Sequence, residues 1–163
     1  MAEKVIIIGG TAAGLSAASK AKRVDASLDI TVFEKSGYIS YGACGLPYFV
    51  GDMIKEPNDL VSLSVDQMTH KRGVPTYIHH EVTRIDRGAQ TVTVRNLDNG
   101  EVFERPYDKL VIATGARPIV PRIPGVDAEG VYTLRTVEDG IRLKHVVQSG
   151  VQKKAAIVGG GFI

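Results

Sequence analysis

The chain of 163 residues is poor in several features that commit a protein to a class. It has one cysteine, so no disulfide can form within it, and a disulfide-stapled scaffold is excluded. It has no apolar run near the roughly 20 residues that span a bilayer; Val5–Ile8 and Leu110–Ala113 are far shorter. It has no excess of one charge. Its 20 Lys and Arg against 18 Asp and Glu leave +2, too little for an electrostatic footprint on nucleic acid. Glu3 and Lys4 ahead of a short apolar run do not make a secretory leader. These absences point to a cytoplasmic, reduced protein with neither a nucleic-acid nor a membrane partner. Its lone cysteine is then either filler or chemically employed. The apolar share of 44% and charged share of 23% are ordinary for a globular chain, long enough for one core and part of another.

Glycine is what the sequence has in quantity. Eleven of the 18 glycines gather at 9, 10 and 14, at 37, 42, 45 and 51, at 115, and at 159 to 161. Clustered glycine after an apolar run marks places where backbone approaches a ligand closely.

Lys4–Ile8 reads as a buried parallel strand, Thr11–Val24 as a helix with Ala13, Ala17 and Ala21 inward and a basic outer face, and Asp29–Glu34 as a second strand. This is one βαβ unit. "PTYIHHEVTRI", "QTVTVRN" and "EVFERP" read as strands, with turns at Asp86–Ala89 and Asn96–Gly100. A buried strand then runs up to Gly115. Residues 116–130, with Pro118, Pro121 and Pro124, read as a linker. Thr136 caps a helix to Val147 with Glu138 and Asp139 in its first turn, and Ala155–Val158 reads as a new buried strand. His79 and His80 alternate across a strand, so they do not share a face for a metal, and no metal site is expected.

The chemistry begins at "GGTAAG". Gly9 closes a strand with a tight turn, and Gly14 opens a helix whose free N–H groups suit a pyrophosphate. Glu34 follows Gly14 at the distance where an acid hydrogen-bonds a ribose hydroxyl. The pattern departs from G-x-G-x-x-G at one position, where Thr11 replaces the middle glycine. Dinucleotide binding is the expectation; the plain alternative is a glycine-rich turn with Glu34 as a solvated strand end.

Cys44 lies in "GYISYGACGLPYFVG", just before a helix start at Leu46 or Pro47. A helix N-terminus favours thiolate. A free cysteine is also often a small buried hydrophobe, and local physics leaves both readings open.

The ordered set "IIIGGTAAG", "FEK", "SYGACGLPY", "YDKLVIATGARP", "TLRTVED" and "AAIVGGG" resembles the single-cysteine branch of the FAD-dependent pyridine nucleotide-disulfide oxidoreductases. Those are coenzyme A-disulfide reductases, NADH oxidases and peroxidases, and persulfide reductases. The resemblance implies an α/β fold: a Rossmann-like FAD-binding βαβ unit with an inserted antiparallel β-meander, incomplete, plus the start of a second nucleotide-binding domain. It divides the chain into residues 1–115 of the FAD domain, a linker 116–130, and 131–163 opening a truncated NAD(P)H domain, whose loop would find its next glycine only beyond Ile163. It places FAD on Gly9, Gly10, Thr11, Ala12, Ala13 and Gly14, with Glu34 and Lys35 at the adenosine ribose and the backbone of Val82 at the adenine. Ala113, Thr114 and Gly115 would close over the flavin, Arg135 would touch it, and Cys44 would lie against its ring.

The same resemblance sorts among reactions. With no second cysteine, Cys44 would exchange with a substrate thiol or pass through sulfenic acid. Peroxidases and water-forming oxidases of the family carry a histidine in the glycine loop where this chain has Ala12, which favours a disulfide or persulfide substrate over oxygen chemistry. Ser16, Lys20, Arg23, Ser40 and Arg72 match positions that contact coenzyme A in its disulfide reductases; a solvated helix face is the plain alternative. Those reductases have asparagine before the cysteine, where this chain has Ala43. The expectation is an NAD(P)H-dependent reductase of a small, coenzyme A-linked disulfide or persulfide, a homodimer when complete, of which these residues alone are an inactive fragment. The alternatives are an NADH oxidase or peroxidase, or a non-catalytic flavin-binding fragment.

Overall fold

Alternation within β1 (Lys4–Ile8) explains the first half of the architecture, seen in a computed structural model that describes residues 2–152 and 154–159. Val5 and Ile7 point to one face of a sheet and Ile6 and Ile8 to the other, and all four are buried. A strand covered on both faces has no polar side, so it reads as a continuous apolar run. α1 (Ala12–Val24) covers the first face with Leu15 and Ala18, against Ile30 and Val32 of β2 (Asp29–Phe33).

The chain divides into two compact units. One is formed by residues up to Gly42 together with Val61–Ala116, the other by Ala43–Leu60 together with residues from Arg117 onward. In the first, β1 lies between β2 and β7 (Lys109–Ile112), and β3 (Thr76–Tyr77) joins the outer side of β2, giving a parallel sheet in the order β3-β2-β1-β7. The second face of this sheet carries an antiparallel meander of β4 (His80–Asp86), β5 (Thr91–Asn96) and β6 (Val102–Pro106). Val92 and Val94 of β5 complete that core with Ile6, Ile8 and Phe33. The mixed α/β fold, with its parallel βαβ unit and inserted meander, is the expected one.

The second unit holds a 3-10 turn at Ala43–Gly45, α2 (Leu46–Val50), a 3-10 turn at Pro57–Leu60, and α3 (Val137–Gln148). Thr136 caps α3, as the sequence predicts, and the Asp139 side chain makes the cap a reciprocal capping box. Residues 117–130 contain turns but no strand or helix.

Three expectations need correction. The inward face of α1 is Gly14, Leu15 and Ala18, with Ala17 and Ala21 flanking it, whereas Ala13 is exposed. The angular step of the helix carries residue 13 around to solvent once residues 14 and 18 face the sheet. β7 is not buried: it has one neighbour in the sheet, and Ile112 is 63% exposed. Residues 155–158 form no strand, and Ile157 and Val158 are almost fully exposed. A strand exists by pairing with a neighbour, and none is paired to these residues among those described. Of the last glycine cluster, Gly160 and Gly161 lie outside the described residues.

Candidate functional site

The C-terminal ends of the adjacent parallel strands β1, β2 and β7 lie together at one end of the sheet in the first unit. β2 lies on one side of β1 and β7 on the other, so the strand order switches sides at β1, the place where open α/β sheets bind ligands. Gly9 leaves β1 with φ +109, and a β-carbon there would fall 2.2 Å from the Ala113 carbonyl oxygen. A β-carbon on Gly14 would fall 1.9 Å from the carbonyl oxygen of Gly9. Both glycines are required by packing as well as by any ligand. Gly10 is confined less tightly and by side chains: a β-carbon there would stand 2.8 Å from Ile39 and 2.9 Å from Glu34.

Thr11 precedes α1 in extended conformation and makes no side-chain cap, and the first turn carries no acid. The leading amides of a 13-residue helix are therefore left to an external acceptor. Ala12 and Ala13 are exposed beside them. The missing middle glycine has a simple explanation. With φ −106, residue 11 sits where any L-residue is comfortable.

Glu34 lies just past β2 and is buried. Its Oε2 accepts the Gly10 N–H at 2.7 Å and its Oε1 accepts the Ser36 N–H at 2.8 Å. The carboxylate thus ties the glycine loop to the loop after β2. Each oxygen keeps a second lone pair for a ligand hydroxyl. Lys35 beside it is exposed.

Val82 sits where the β4–β5 register slips, between the Val82–Val94 and Arg84–Thr93 pairs. Such a bulge frees backbone groups from the ladder. Ala113 continues β7 by donating its N–H to Ile8 at 2.8 Å, and Gly115 turns with φ +69. The structure therefore gathers the 9–14 loop, Glu34 and residues 113–115 at one end of one sheet.

The basic residues follow a different element. Ser16, Lys20 and Arg23 are exposed on α1 at spacings that share a face. Arg72, which follows a π-helical turn at Gln67–Lys71, donates from Nη1 to Ser19 Oγ at 2.8 Å, so it joins that face. Sequence reasoning missed Ser19, whose i,i+3 relation to Ser16 was the available signal. Lys22, also on this helix, donates from Nζ to the carbonyls of Ala26 and Leu28 and closes the end of the helix. Ser40 has φ +49, donates its N–H to the Gly10 carbonyl, and accepts from the Ser62 N–H.

Cys44 belongs to the second unit. It is exposed, so it is not a buried filler. Its turn is set by Gly45, where a β-carbon would stand 2.6 Å from Leu60 and 3.4 Å from Ile54. α2 then buries Leu46 and Phe49. Arg135 is half-buried in this unit and gives its backbone N–H to Asp139 Oδ2 at 3.1 Å. Lys144, which sequence reasoning passed over, is 6% exposed and fully hydrogen-bonded. Among the described residues no helix is long and apolar enough to cross a membrane.

Comparison with known proteins gives the arrangement a family. Residues 3–163 match the model of the pyridine nucleotide-disulphide oxidoreductases, a family of enzymes that work with FAD and NAD(P)H. The coenzyme A disulfide reductase of Staphylococcus haemolyticus is 37% identical over 160 residues, covering 98% of this chain and 36% of that protein. The NAD(P)H coenzyme A polysulfide/persulfide reductase of Pyrococcus horikoshii is 37% identical over all 163 residues, 36% of its own length. The chain thus spans about a third of the relatives it matches. The crystal structure of the reduced CoADR-RHD protein of Bacillus anthracis superimposes with a TM-score of 0.88 at 34% identity, covering 92% of this chain and 27% of that one. The glycine-loop cradle, the fold and the match along the chain agree: the chain belongs to the pyridine nucleotide-disulphide oxidoreductases.

Proposed function

We propose that these residues serve an FAD-dependent NAD(P)H oxidoreductase that reduces a coenzyme A-linked disulfide or persulfide through Cys44. The observation that carries the reading is the exposure of the chain's one cysteine on a turn fixed by packing, in a chain that also builds a dinucleotide cradle. The cradle fits the cofactor. Gly9 and Gly14 leave no space for a β-carbon, the α1 amides are uncapped, and the Glu34 oxygens have acceptor capacity left. Gly9, Gly10, Thr11, Ala12, Ala13 and Gly14 would hold the pyrophosphate, Glu34 and Lys35 the ribose, and Val82 the adenine. Ala113, Thr114, Gly115 and Arg135 would hold the flavin side. Bound there, FAD supplies a two-electron relay from nicotinamide to sulfur.

The thiolate of Cys44 attacks one sulfur of the substrate disulfide. A Cys44–substrate disulfide forms and the first thiol leaves. Two electrons, which FAD held by the cradle would supply, would reduce that mixed disulfide, so that the second thiol would leave with a proton and the Cys44 thiolate would be restored. Ser16, Lys20, Arg23, Ser40 and Arg72 hold the phosphates of a coenzyme A moiety by charge-assisted hydrogen bonds. The exposed methyl of Ala12 offers no proton donor in the glycine loop, which favours sulfur over oxygen or peroxide as acceptor. The complete protein, acting as a homodimer in the reducing cytoplasm, carries the turnover; residues 1–163 alone carry the cradle and the sulfur.

The test is Cys44→Ser in the complete protein, assayed with NADH and coenzyme A disulfide. Disulfide reduction is lost while the flavin stays bound. Turnover at the wild-type rate overturns the assignment of Cys44.

A further inference from the structure

Lys144 is a charged residue buried for no reason that the cradle or the basic face supplies. It lies on α3 one turn beyond Gly140, and Val137, Gly140 and Lys144 form the buried stripe of that helix. Its Nζ donates to the carbonyl oxygens of Ile54 at 3.0 Å and Lys55 at 2.8 Å, and reaches Asp52 Oδ1 at 3.0 Å. Three donors meet three acceptors, so the ammonium is satisfied. It also stands 4.3 Å from the centre of the Phe49 ring.

What this ammonium grips is the segment that follows the cysteine. Asp52 adopts φ +62, and its other oxygen takes Lys55 Nζ at 2.6 Å. Ile54, whose carbonyl Lys144 holds, packs its Cδ1 against Gly45, the residue next to Cys44. On the same face of α3, Gly140 admits Leu46 and Phe49, which a β-carbon there would meet at 3.2 and 3.3 Å. Both ends of the short α2 are therefore held: by Gly140 at Leu46, and by Lys144 beyond Val50.

We infer that Lys144 is a positioning residue for Cys44, acting through Ile54 and Phe49 to fix the 43–45 turn. The inference rests on Cys44 being the reacting sulfur. Displacement at sulfur requires in-line approach, so the turn that carries the nucleophile must not drift. A hydrophobic residue at 144 would fill the space without fixing the carbonyls of 54 and 55.

The experiment compares Lys144→Met and Lys144→Arg in the complete protein. Hydrogen exchange is read by mass spectrometry, and steady-state rates are taken with NADH and coenzyme A disulfide. Lys144→Met is expected to speed exchange across 43–56 alone and to lower kcat about tenfold, with the KM for NADH within about twofold. Lys144→Arg, which keeps the donors, recovers most of kcat. Unchanged exchange and kcat in Lys144→Met overturn the inference, as does faster exchange throughout the protein with kcat and KM both impaired. Rapid local exchange with kcat intact also overturns it, because the segment would then be held without placing the sulfur. Cys44→Ser, run beside these, separates the two claims. If it turns over normally the reading of Cys44 fails. If it is inactive while Lys144→Met behaves as wild type, only the role of Lys144 fails.

Discussion

The carbonyl oxygen of Ala113 stands 2.2 Å from the point that a β-carbon on Gly9 would occupy. The end of β7 is thereby laid directly on the glycine loop. Two stretches more than a hundred residues apart in sequence share one wall of the cradle.

Gly9→Ala tests that contact. The φ of +109 costs an L-residue about 1–3 kcal/mol, and the overlap with backbone adds a similar amount. The melting midpoint is expected to fall by several degrees and purified complete protein to lose its flavin absorbance. A variant with wild-type stability and flavin content would show that the contact is not made.

Glu34→Gln tests the buried carboxylate. A carboxamide has one acceptor oxygen, so one of the Gly10 and Ser36 N–H groups loses its partner. An unpaired buried donor costs about 1–3 kcal/mol. Thermal unfolding is expected at lower temperature, with weaker flavin retention on dialysis.

The basic face is tested by Lys20→Ala, Arg23→Ala and Arg72→Ala. Each is expected to raise the KM for coenzyme A disulfide about tenfold, the weight of ~1.4 kcal/mol, with the KM for NADH unchanged. Added salt is expected to erode the difference, since these side chains are exposed. A simple disulfide without phosphates is expected to be indifferent to the substitutions.

Acid should loosen the segment after Cys44. The hydrogen bond from Lys55, then that from Lys144, holds the Asp52 carboxyl below its usual value. A carboxyl lowered in the folded state stabilises fully above its unfolded value of about 3.9, and that contribution disappears as pH falls through the lower folded value. Lys55, Glu56, Lys144 and His145 line the same hollow of about 400 Å³ and set the charge around it. Protection of the amides of residues 52–56, taken relative to their intrinsic exchange rate at each pH, is expected to be flat from neutral pH down to about 4 and to fall below it. Asp52→Asn, which tolerates the left-handed backbone, removes the acid step.

Much of this protein was legible along the chain. The apolar run of β1, the glycines at 9 and 14, the helix cap at Thr136 and the family motifs are local, because strand burial, helix capping and tight turns are decided within a few residues. The exposed position of Ala13 and the open edge at Ile112 were not legible, since an apolar residue reads alike whether a partner covers it or not. The strand expected at 155–158 failed for the same reason: pairing belongs to the neighbour as much as to the sequence.

The sequence by itself determined the βαβ unit, the dinucleotide loop, the spacing of Glu34 and the presence of a single cysteine. Only the tertiary structure decided that Cys44 is exposed, that Arg72 joins Ser19, and that Lys144 is a buried clamp and not a solvated helix cation. The physical reason is that a side chain's burial and hydrogen-bond partners come from segments far away in sequence. Ile54 and Lys55 supply the carbonyls that hold Lys144 from about ninety residues upstream, and nothing next to it on α3 announces them.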